Sequence, residues 1–111
     1  MKDTVPTSTP VSGSGHPQLS VIMAAYNRER FIVPALTSIL DQDYAPLEII
    51  VIDDGSTDGT PGLVRDLAAR ARAPIRYVRQ ENAGLSTAHN HGLRLASGKV
   101  ITFLDSDDLW P

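Results

Sequence analysis

Two groups of closely spaced carboxylates are the residues of this chain best suited to chemistry. Asp53 and Asp54 follow directly on an apolar run in VIDDGSTDGT, and the second group is the stretch DSDD at residues 105–108. Asp105 and Asp107 are two residues apart, so an extended backbone points both side chains to one side. At roughly 6–7 Å and an effective dielectric constant near 20, their repulsion is about 2–3 kcal/mol. Mg²⁺ or Mn²⁺, which take oxygen ligands, would offset this repulsion, so Asp105 and Asp107 are candidate metal ligands.

Each acidic group also has a purely structural interpretation. DSDD alone is slightly more typical of a solvated loop that caps a helix. The metal site is favoured because the predicted topology places both acidic groups at one edge of the sheet. DDGSTD does not match the alternating ligands of an EF-hand loop, and no glutamate closes such a loop. Asp54 and Ser56 could also do no more than form a turn, with Gly55 in a left-handed conformation.

Tyr26 and Asp54 are candidates for contacts with a nucleoside. A carboxylate accepts a hydrogen bond from a base N–H, and a tyrosine ring can stack on a base. An ordinary aromatic residue at the sheet edge explains Tyr26 equally well. His89 and His91 are two apart in a predicted helix and face different directions, so surface or capping roles are expected rather than a paired metal site. Asn90 and Gly92 are expected to serve the packing of this helix on the sheet.

Seven elements are expected to position these residues. Short apolar runs predict buried strands, and apolar residues at helical spacing predict the helices between them. The predicted strands cover residues 19–26, 47–53, 75–80 and 99–105. The first helix is expected to begin at 29–31, which leaves Pro34 in its first turn. The second is expected to have Thr60 as its N-cap and Pro61 in first position, and the third to cover 85–96.

This alternation predicts an α/β fold, with a parallel sheet and helices on both of its faces. Ligands of such sheets bind beyond the carboxyl ends of the strands, where the strand order reverses. The segments that follow the four strands are polar. They contribute Tyr26 and Asn27, then Asp53 and Asp54, then Asn82 and Gly84 of QENAG, and finally Asp105 and Ser106 of DSDD. Convergence of these residues on one edge of the sheet predicts a binding site there.

Length and composition exclude several classes of protein. The chain is long enough for one domain, and its net charge of −3 gives no reason to expect a nucleic-acid or anionic-membrane partner. The absence of cysteine excludes disulfides and thiolate metal sites. No apolar run approaches the roughly 18 residues that span a bilayer. Residues 1–17 are rich in Pro, Ser, Thr and Gly, and a disordered leader is expected there, followed by a domain over 18–111.

Four stretches resemble family 2 glycosyltransferases with the GT-A fold, in the same order and spacing. They are LSVIMAAYNRERFI, EIIVIDDGSTDGT, RQENAGLSTAHNHGLRLASG and VITFLDSDDLWP, and the resemblance covers residues 19–111. It implies a Rossmann-like GT-A domain. It also implies the inverting transfer of a sugar from a nucleotide donor, most often a UDP-sugar, to an acceptor hydroxyl, usually with Mg²⁺ or Mn²⁺.

The resemblance also implies roles for individual residues. Tyr26 and Asp54 correspond to contacts with the base, and Asp53 to part of the same pocket. Asp105 corresponds to a carboxylate on the ribose and metal side, and Asp107 to the principal metal ligand. The neighbouring positions implied for the nucleotide site are Asn27, Asn82, Gly84 and Ser106, with Asp108 as a helper of the metal ligands.

Two positions depart from the family pattern. The family often has proline where this chain has Ala24, and it usually has arginine where this chain has His89. That arginine would sit near the nucleotide, so a weaker or pH-dependent contact with the donor is expected at His89. Both positions are kept as nucleotide contacts.

The family's general base and acceptor-binding half lie downstream of the DSD motif, and both are therefore expected beyond Pro111. This chain is expected to supply the donor- and metal-binding half of a C-terminally incomplete domain. Nucleotide sugars imply a cytoplasmic site, and peripheral association with the inner face of a membrane through absent segments is left open. The acceptor, whether saccharide, lipid or protein, is also left open.

Two further functions are compatible with the presence of acidic residues at the ends of the strands. The first is a fragment that binds a nucleotide or a partner but transfers nothing, because the catalytic base and the acceptor half are missing. A receiver-like phosphoacceptor domain also gathers carboxylates around Mg²⁺. It requires an acidic pair after the first strand and a lone aspartate after the third, where this chain has AAYN and YVRQ, so it is disfavoured.

Overall fold

A computed structural model of the chain describes residues 18–42 and 47–106. Strands and helices alternate along these residues as the sequence predicts. They are β1 (Leu19–Ala25), α1 (Ile32–Leu40), β2 (Leu47–Asp53), α2 (Thr60–Arg70), β3 (Ile75–Arg79), α3 (Leu85–Leu95) and β4 (Val100–Phe103). The expected leader, Asp107 and Asp108 lie outside the described residues.

The strands form one parallel sheet in the order β3-β2-β1-β4. From β1 the chain builds outward through β2 to β3, and it then returns to the other side of β1 to form β4. The strand order therefore reverses between β1 and β4. In a sheet of this kind the crevice at that point, beyond the carboxyl ends of the strands, is the expected ligand site.

Helices cover both faces of the sheet, as predicted. Successive residues of a strand point to opposite faces, and the core divides accordingly. Val21 and Met23 of β1 pack with α1 and α2 on one face, whereas Ala24 packs near Ala88 of α3 on the other. Residues 21–25 of β1 are all buried, because the strand is covered on both faces of the sheet.

The three helices are short. The first has 9 residues and the other two have 11 each. Helix α1 begins at Ile32, just beyond the expected start, with Pro34 in its first turn. Across residues 18–42 and 47–106, no helix has the length and apolar character needed to cross a bilayer.

The prediction that Thr60 caps α2 is wrong. Thr60 is the first residue of the helix, and Gly59 occupies the N-cap position without a side-chain cap. The Thr60 hydroxyl instead accepts a hydrogen bond from the backbone N–H of Arg28 at 2.9 Å. Asp58 Oδ1 accepts from the backbone N–H of Thr60, also at 2.9 Å. Local capping rules assign the Thr60 hydroxyl to the N-terminus of the helix, but it binds a backbone N–H 32 residues away in sequence.

A polar cluster fixes the opposite, amino-terminal end of the sheet. Glu48 Oε2 accepts hydrogen bonds from the Ser20 hydroxyl at 2.5 Å and from the backbone N–H of Ser97 at 2.8 Å. The backbone N–H of Gly98 donates to the Ser20 hydroxyl at 2.8 Å. The cluster ties the turn between α3 and β4 to the start of β1, and so it holds β4 in register.

Gly92 serves the packing of α3 on the sheet, as predicted, whereas Asn90, for which the same role is expected, is exposed. Gly92 is buried in the helix, and a Cβ at this position would collide with Cγ2 of Ile22. That atom sits on the branched Cβ of a fully buried side chain, which cannot swing aside. Contact between helix and sheet therefore requires glycine here.

We expect Gly92→Ala to lower the free energy of unfolding by about 1–2 kcal/mol. Overpacking costs about 1–3 kcal/mol, and the better helix propensity of alanine offsets part of it. Gly62→Ala is the matched control, because a Cβ at Gly62 of α2 meets nothing within 4 Å. The control should stabilise the protein by about 0.5–1 kcal/mol. Urea titrations measure both values, and equal effects of the two substitutions would contradict the packing argument.

Candidate functional site

A cleft of about 340 Å³ opens beyond the carboxyl ends of the strands, at the point where the strand order reverses. The end of β1, the residue after β2, the segment after β4 and the first turn of α3 all contribute to its walls. The lining residues are Ala24, Ala25, Tyr26, Arg28, Asp54, Leu85, Ala88, Asp105 and Ser106. Five of the ten residues predicted for the nucleotide site are among them, namely Ala24, Tyr26, Asp54, Asp105 and Ser106.

Tyr26 presents an exposed aromatic ring at this cleft. The residue follows the last residue of β1 directly and is 44% exposed, although the preceding five positions are buried. The buried strand holds the backbone of Tyr26 in place, and one face of its ring remains free. Such a ring can stack on a planar ligand.

Asp54 is a buried carboxylate held by donors from the segment that follows β3. Its Oδ1 accepts from Gln80 Nε2 and from the backbone N–H of Ala83, each at 2.8 Å. Its Oδ2 accepts from the backbone N–H of Gly84 at 3.0 Å and from Asn82 Nδ2 at 3.3 Å. Asn82 and Gly84 are thus brought to the Asp54 carboxylate and are not among the residues that line the cleft.

These donors keep Asp54 charged. Burial by itself raises the pKa of Asp54, but the hydrogen bonds from Gln80, Ala83 and Gly84 together bring it below its ordinary value of 3.8. At neutral pH the side chain is therefore an anion in a fixed orientation. An anion in this state is a strong acceptor for a ligand N–H.

Asp53 turns to the other face of the sheet, because adjacent residues of a strand alternate. It is fully buried and accepts hydrogen bonds from the backbone N–H of Ser56 at 2.8 Å and from the Tyr77 hydroxyl at 2.7 Å. Arg79 Nη1 lies 3.6 Å from Asp53 Oδ2. Burial and the hydrogen bond to Asp53 raise the pKa of Tyr77. The structure thus places Asp53 outside the cleft lining, where it holds the loop that follows β2.

Asn27 links the loops that follow β1 and β2. Its backbone is left-handed, with φ of 53°, and its Oδ1 accepts from the backbone N–H of Thr57 at 2.8 Å. Its own backbone N–H donates to the Ser56 hydroxyl at 2.9 Å. Two residues on, Glu29 Oε1 accepts from the backbone N–H of Gly59 at 2.7 Å. Asn27 therefore shapes the wall behind the cleft and does not line it.

Asp105 and Ser106 complete the cleft on the β4 side. Asp105 is exposed, and among the described residues no donor is within hydrogen-bond distance of its carboxylate, whereas Ser106 is only 5% exposed. The same part of the chain holds no group of three or more His, Asp or Glu residues that could enclose a metal ion. Mg²⁺ sites commonly use one or two carboxylates together with substrate phosphates, so Asp105 fits such a site as one ligand. The second predicted ligand, Asp107, lies outside the described residues.

His89 does not line the cleft. Its ring packs against Phe103 of β4, with centroids 4.6 Å apart and planes inclined by 44°. Three lining residues were missed by the sequence analysis: Arg28, Leu85 and Ala88. Arg28 follows the AAYN stretch immediately, which was a usable signal. The first turn of α3 carried no polar signal, since Leu85 and Ala88 have the pattern of core residues.

We expect Asp54→Asn to lower the free energy of unfolding by about 1–3 kcal/mol at neutral pH, because the donors around this buried side chain lose their anionic acceptor. The folded-state pKa of Asp54 is depressed, so the contribution of its charge is fully present above pH 3.8, the ordinary value. It is lost as the pH falls through the depressed pKa. The difference between the two proteins should therefore shrink in acid, as followed by urea titrations at several pH values.

Asp66→Asn is the control for this experiment. It removes the same formal charge from an exposed side chain, whose only described ion pair is with Arg70 at 3.2 Å. Its effect should stay within about 0.5 kcal/mol at every pH. A loss for Asp66→Asn as large as that for Asp54→Asn would show that net charge is the cause.

Comparison with known proteins identifies the family. Residues 20–111 match the model of glycosyl transferase family 2. The glycosyltransferase GlyA of Streptococcus pneumoniae is 43% identical over 91 residues, which cover 82% of this chain and 13% of GlyA. An uncharacterized glycosyltransferase of Nostoc sp. is 39% identical over 93 residues, which cover 84% of this chain and 29% of that protein.

Solved structures give the same result. The mannosyltransferase PcManGT from Pyrobaculum calidifontis, in complex with GDP-Man and Mn²⁺, has a TM-score of 0.81 and 37% identity over 88% of this chain and 30% of its own. TarS from S. aureus, in complex with UDP, has a TM-score of 0.77 and 32% identity over 83% of this chain and 28% of its own. This chain, which spans less than a third of the length of these relatives, has the GT-A fold and belongs to glycosyl transferase family 2.

Proposed function

We propose that this chain binds the nucleoside diphosphate part of a nucleotide sugar, as the donor-binding half of an inverting glycosyltransferase. The observation that carries the proposal is the cleft between β1 and β4. Tyr26, Asp54 and Asp105 reach it from three separate segments of the chain. An aromatic face, a fixed anion and a second carboxylate without a described partner are the groups that a base, its N–H and a metal-bound diphosphate require.

The base is expected between Tyr26 and Asp54. Stacking on Tyr26 is open to any base, whereas the Asp54 carboxylate selects bases that present an N–H donor. Uracil and guanine both do so at their Watson–Crick edges. The related structures were obtained with UDP and with GDP-Man, and this supports a nucleoside diphosphate while leaving two nucleotides to compare. From the resemblance we propose UDP as the first choice.

The diphosphate is expected on the side of Asp105 and Arg28. When bound, Mg²⁺ or Mn²⁺ would stabilise, as a Lewis acid, the negative charge that develops on the leaving diphosphate. Asp105 would hold the metal, together with Asp107, which follows it in the predicted motif. Arg28 lines the same cleft, where Nη1 donates to the carbonyl of Tyr26 at 3.2 Å. The guanidinium has further N–H groups with which to donate to phosphate oxygens.

Transfer with inversion also requires a general base on the other side of the sugar, which activates the acceptor hydroxyl. We propose that this base and the acceptor site belong to the part of the protein beyond Pro111. Binding of the donor and transfer of the sugar can therefore be measured separately. We further propose that residues 18–111 form the metal-dependent donor site. This site is proposed to lie in the cytoplasm, where nucleotide sugars occur.

Calorimetric titration with UDP and GDP, with and without Mn²⁺, tests the proposal. We expect one of the two nucleotides to bind, and to bind more tightly with Mn²⁺. Asp105→Asn and Asp107→Ala should each reduce the Mn²⁺-dependent affinity by about 10- to 100-fold, on the scale seen when metal sites lose supporting groups. Tyr26→Ala should weaken binding by about 3- to 30-fold, a stacking effect that is independent of the metal.

Asp66→Asn again serves as the control, since its exposed side chain lies on α2 and does not line the cleft. It should leave both affinities unchanged. Failure of the folded wild-type chain to bind either nucleotide in the presence of Mn²⁺ would overturn the proposal. A Tyr26→Ala effect that appears only with Mn²⁺ would overturn the assignment of the base to Tyr26.

A further inference from the structure

A chain of side-chain hydrogen bonds leads from α3 to the cleft. His91 Nδ1 lies 3.0 Å from Gln80 Oε1, and Gln80 Nε2 lies 2.8 Å from Asp54 Oδ1. Gln80 directly follows β3, and its backbone N–H is anchored to the carbonyl of Asp53 at 2.9 Å. His91 is half-buried and does not line the cleft. It can therefore affect a ligand only through Gln80 and Asp54.

The direction of these hydrogen bonds is fixed by the chemistry of the groups. An ionised carboxylate only accepts hydrogen bonds, so Gln80 must present its amide NH₂ to Asp54. The amide oxygen of Gln80 then faces His91, and it too can only accept. Nδ1 of His91 must therefore carry a hydrogen, in the neutral ring as well as in the charged one.

The two oxygens of Asp54 differ in the capacity that remains to them. Oδ1 already accepts two hydrogen bonds of 2.8 Å, from Gln80 and Ala83. Oδ2 accepts one of 3.0 Å from Gly84 and a long one of 3.3 Å from Asn82. Asn82 Nδ2 lies closer to the backbone carbonyl of Asp54, at 3.0 Å. The acceptor capacity left for a ligand is therefore on Oδ2, provided that Gln80 keeps Oδ1 occupied.

We propose that His91 is a positioning residue of the nucleotide site. By donating from Nδ1 it holds the Gln80 amide in the one orientation that satisfies Asp54 Oδ1, and this leaves Oδ2 for the base. The inference rests on the proposed function, in which Asp54 accepts from the base. The two histidines of the AHNHG stretch thus have different roles, since His89 packs on Phe103.

Two substitutions at His91 distinguish the effect of its hydrogen-bond donor from the effect of its side-chain volume. His91→Phe keeps a ring of similar size and removes the donor, whereas His91→Gln restores an amide donor within reach of Gln80. We expect His91→Phe to weaken binding of the preferred nucleotide, UDP or GDP with Mn²⁺, by about three- to tenfold, the equivalent of one hydrogen bond. His91→Gln should recover most of the loss, and Arg94→Lys, an exposed change on the same helix, should have no effect.

The tautomer of His91 in the free wild-type chain provides a second and independent readout. Nitrogen NMR distinguishes the Nδ1–H form of the neutral ring from the intrinsically favoured Nε2–H form. We expect the Nδ1–H form. An Nε2–H ring, or a folded His91→Phe variant with wild-type nucleotide affinity, would overturn the positioning role alone. If the wild type binds neither UDP nor GDP, the proposed function fails and the role of His91 fails with it.

Discussion

The arrangement of the cleft depends on two adjacent carboxylates at the end of a buried strand. Because the alternation of β2 continues into the next residue, whose backbone N–H still pairs with Ala25 of β1, Asp53 and Asp54 reach different surroundings from adjacent positions. Asp53 binds the loop that leads to α2, together with Tyr77 and Arg79 of β3. Asp54 binds the turn that leads to α3. One dipeptide thus fixes the segments on both sides of the sheet edge.

Burying two charges side by side is favourable only if each is fully compensated. Asp53 has a guanidinium, a phenol and a backbone N–H, and Asp54 has two amide side chains and two backbone N–H groups. These partners are in place before any ligand arrives, so the groups that face the cleft are held by the fold. At the other end of the sheet, Glu48 performs a comparable task for the turn before β4. Carboxylates thus fix the loops at both ends of the sheet.

The fold could be read from the sequence because apolar patterns determine it. β2 is bounded by Leu47 and Asp53 as predicted, and α1 begins within a residue of the range that Pro34 imposed. The convergence of Tyr26, Asp54 and Asp105 also followed from topology, because the carboxyl ends of parallel strands must share an edge. Contacts between distant segments could not be read in this way. The Thr60 hydroxyl and the Asn27 side-chain oxygen accept hydrogen bonds from groups some 30 residues away. No local sequence rule predicts those partners.

The separate directions of Asp53 and Asp54 were within reach of sequence reasoning, since the alternation of a strand applies to its last residues as well. The sequence could not predict which of the two carboxylates enters the cleft, because that depends on which face of the sheet α3 covers. His91 was treated as a surface residue for a similar reason. Its partner Gln80 belongs to a different segment, and their contact exists only because α3, which packs on β1 and β2, brings His91 to the residue that follows β3.

Asn27 holds a backbone conformation that costs free energy for a residue other than glycine, and the hydrogen bonds across to Ser56 and Thr57 stabilise it. The loops after β1 and β2 consequently cannot open one at a time, because releasing either leaves the other with unpaired polar groups. Their amide hydrogens should therefore exchange with solvent in a single cooperative event. A ligand that enters the cleft would then meet a wall that is already ordered, and little conformational entropy would be lost there on association.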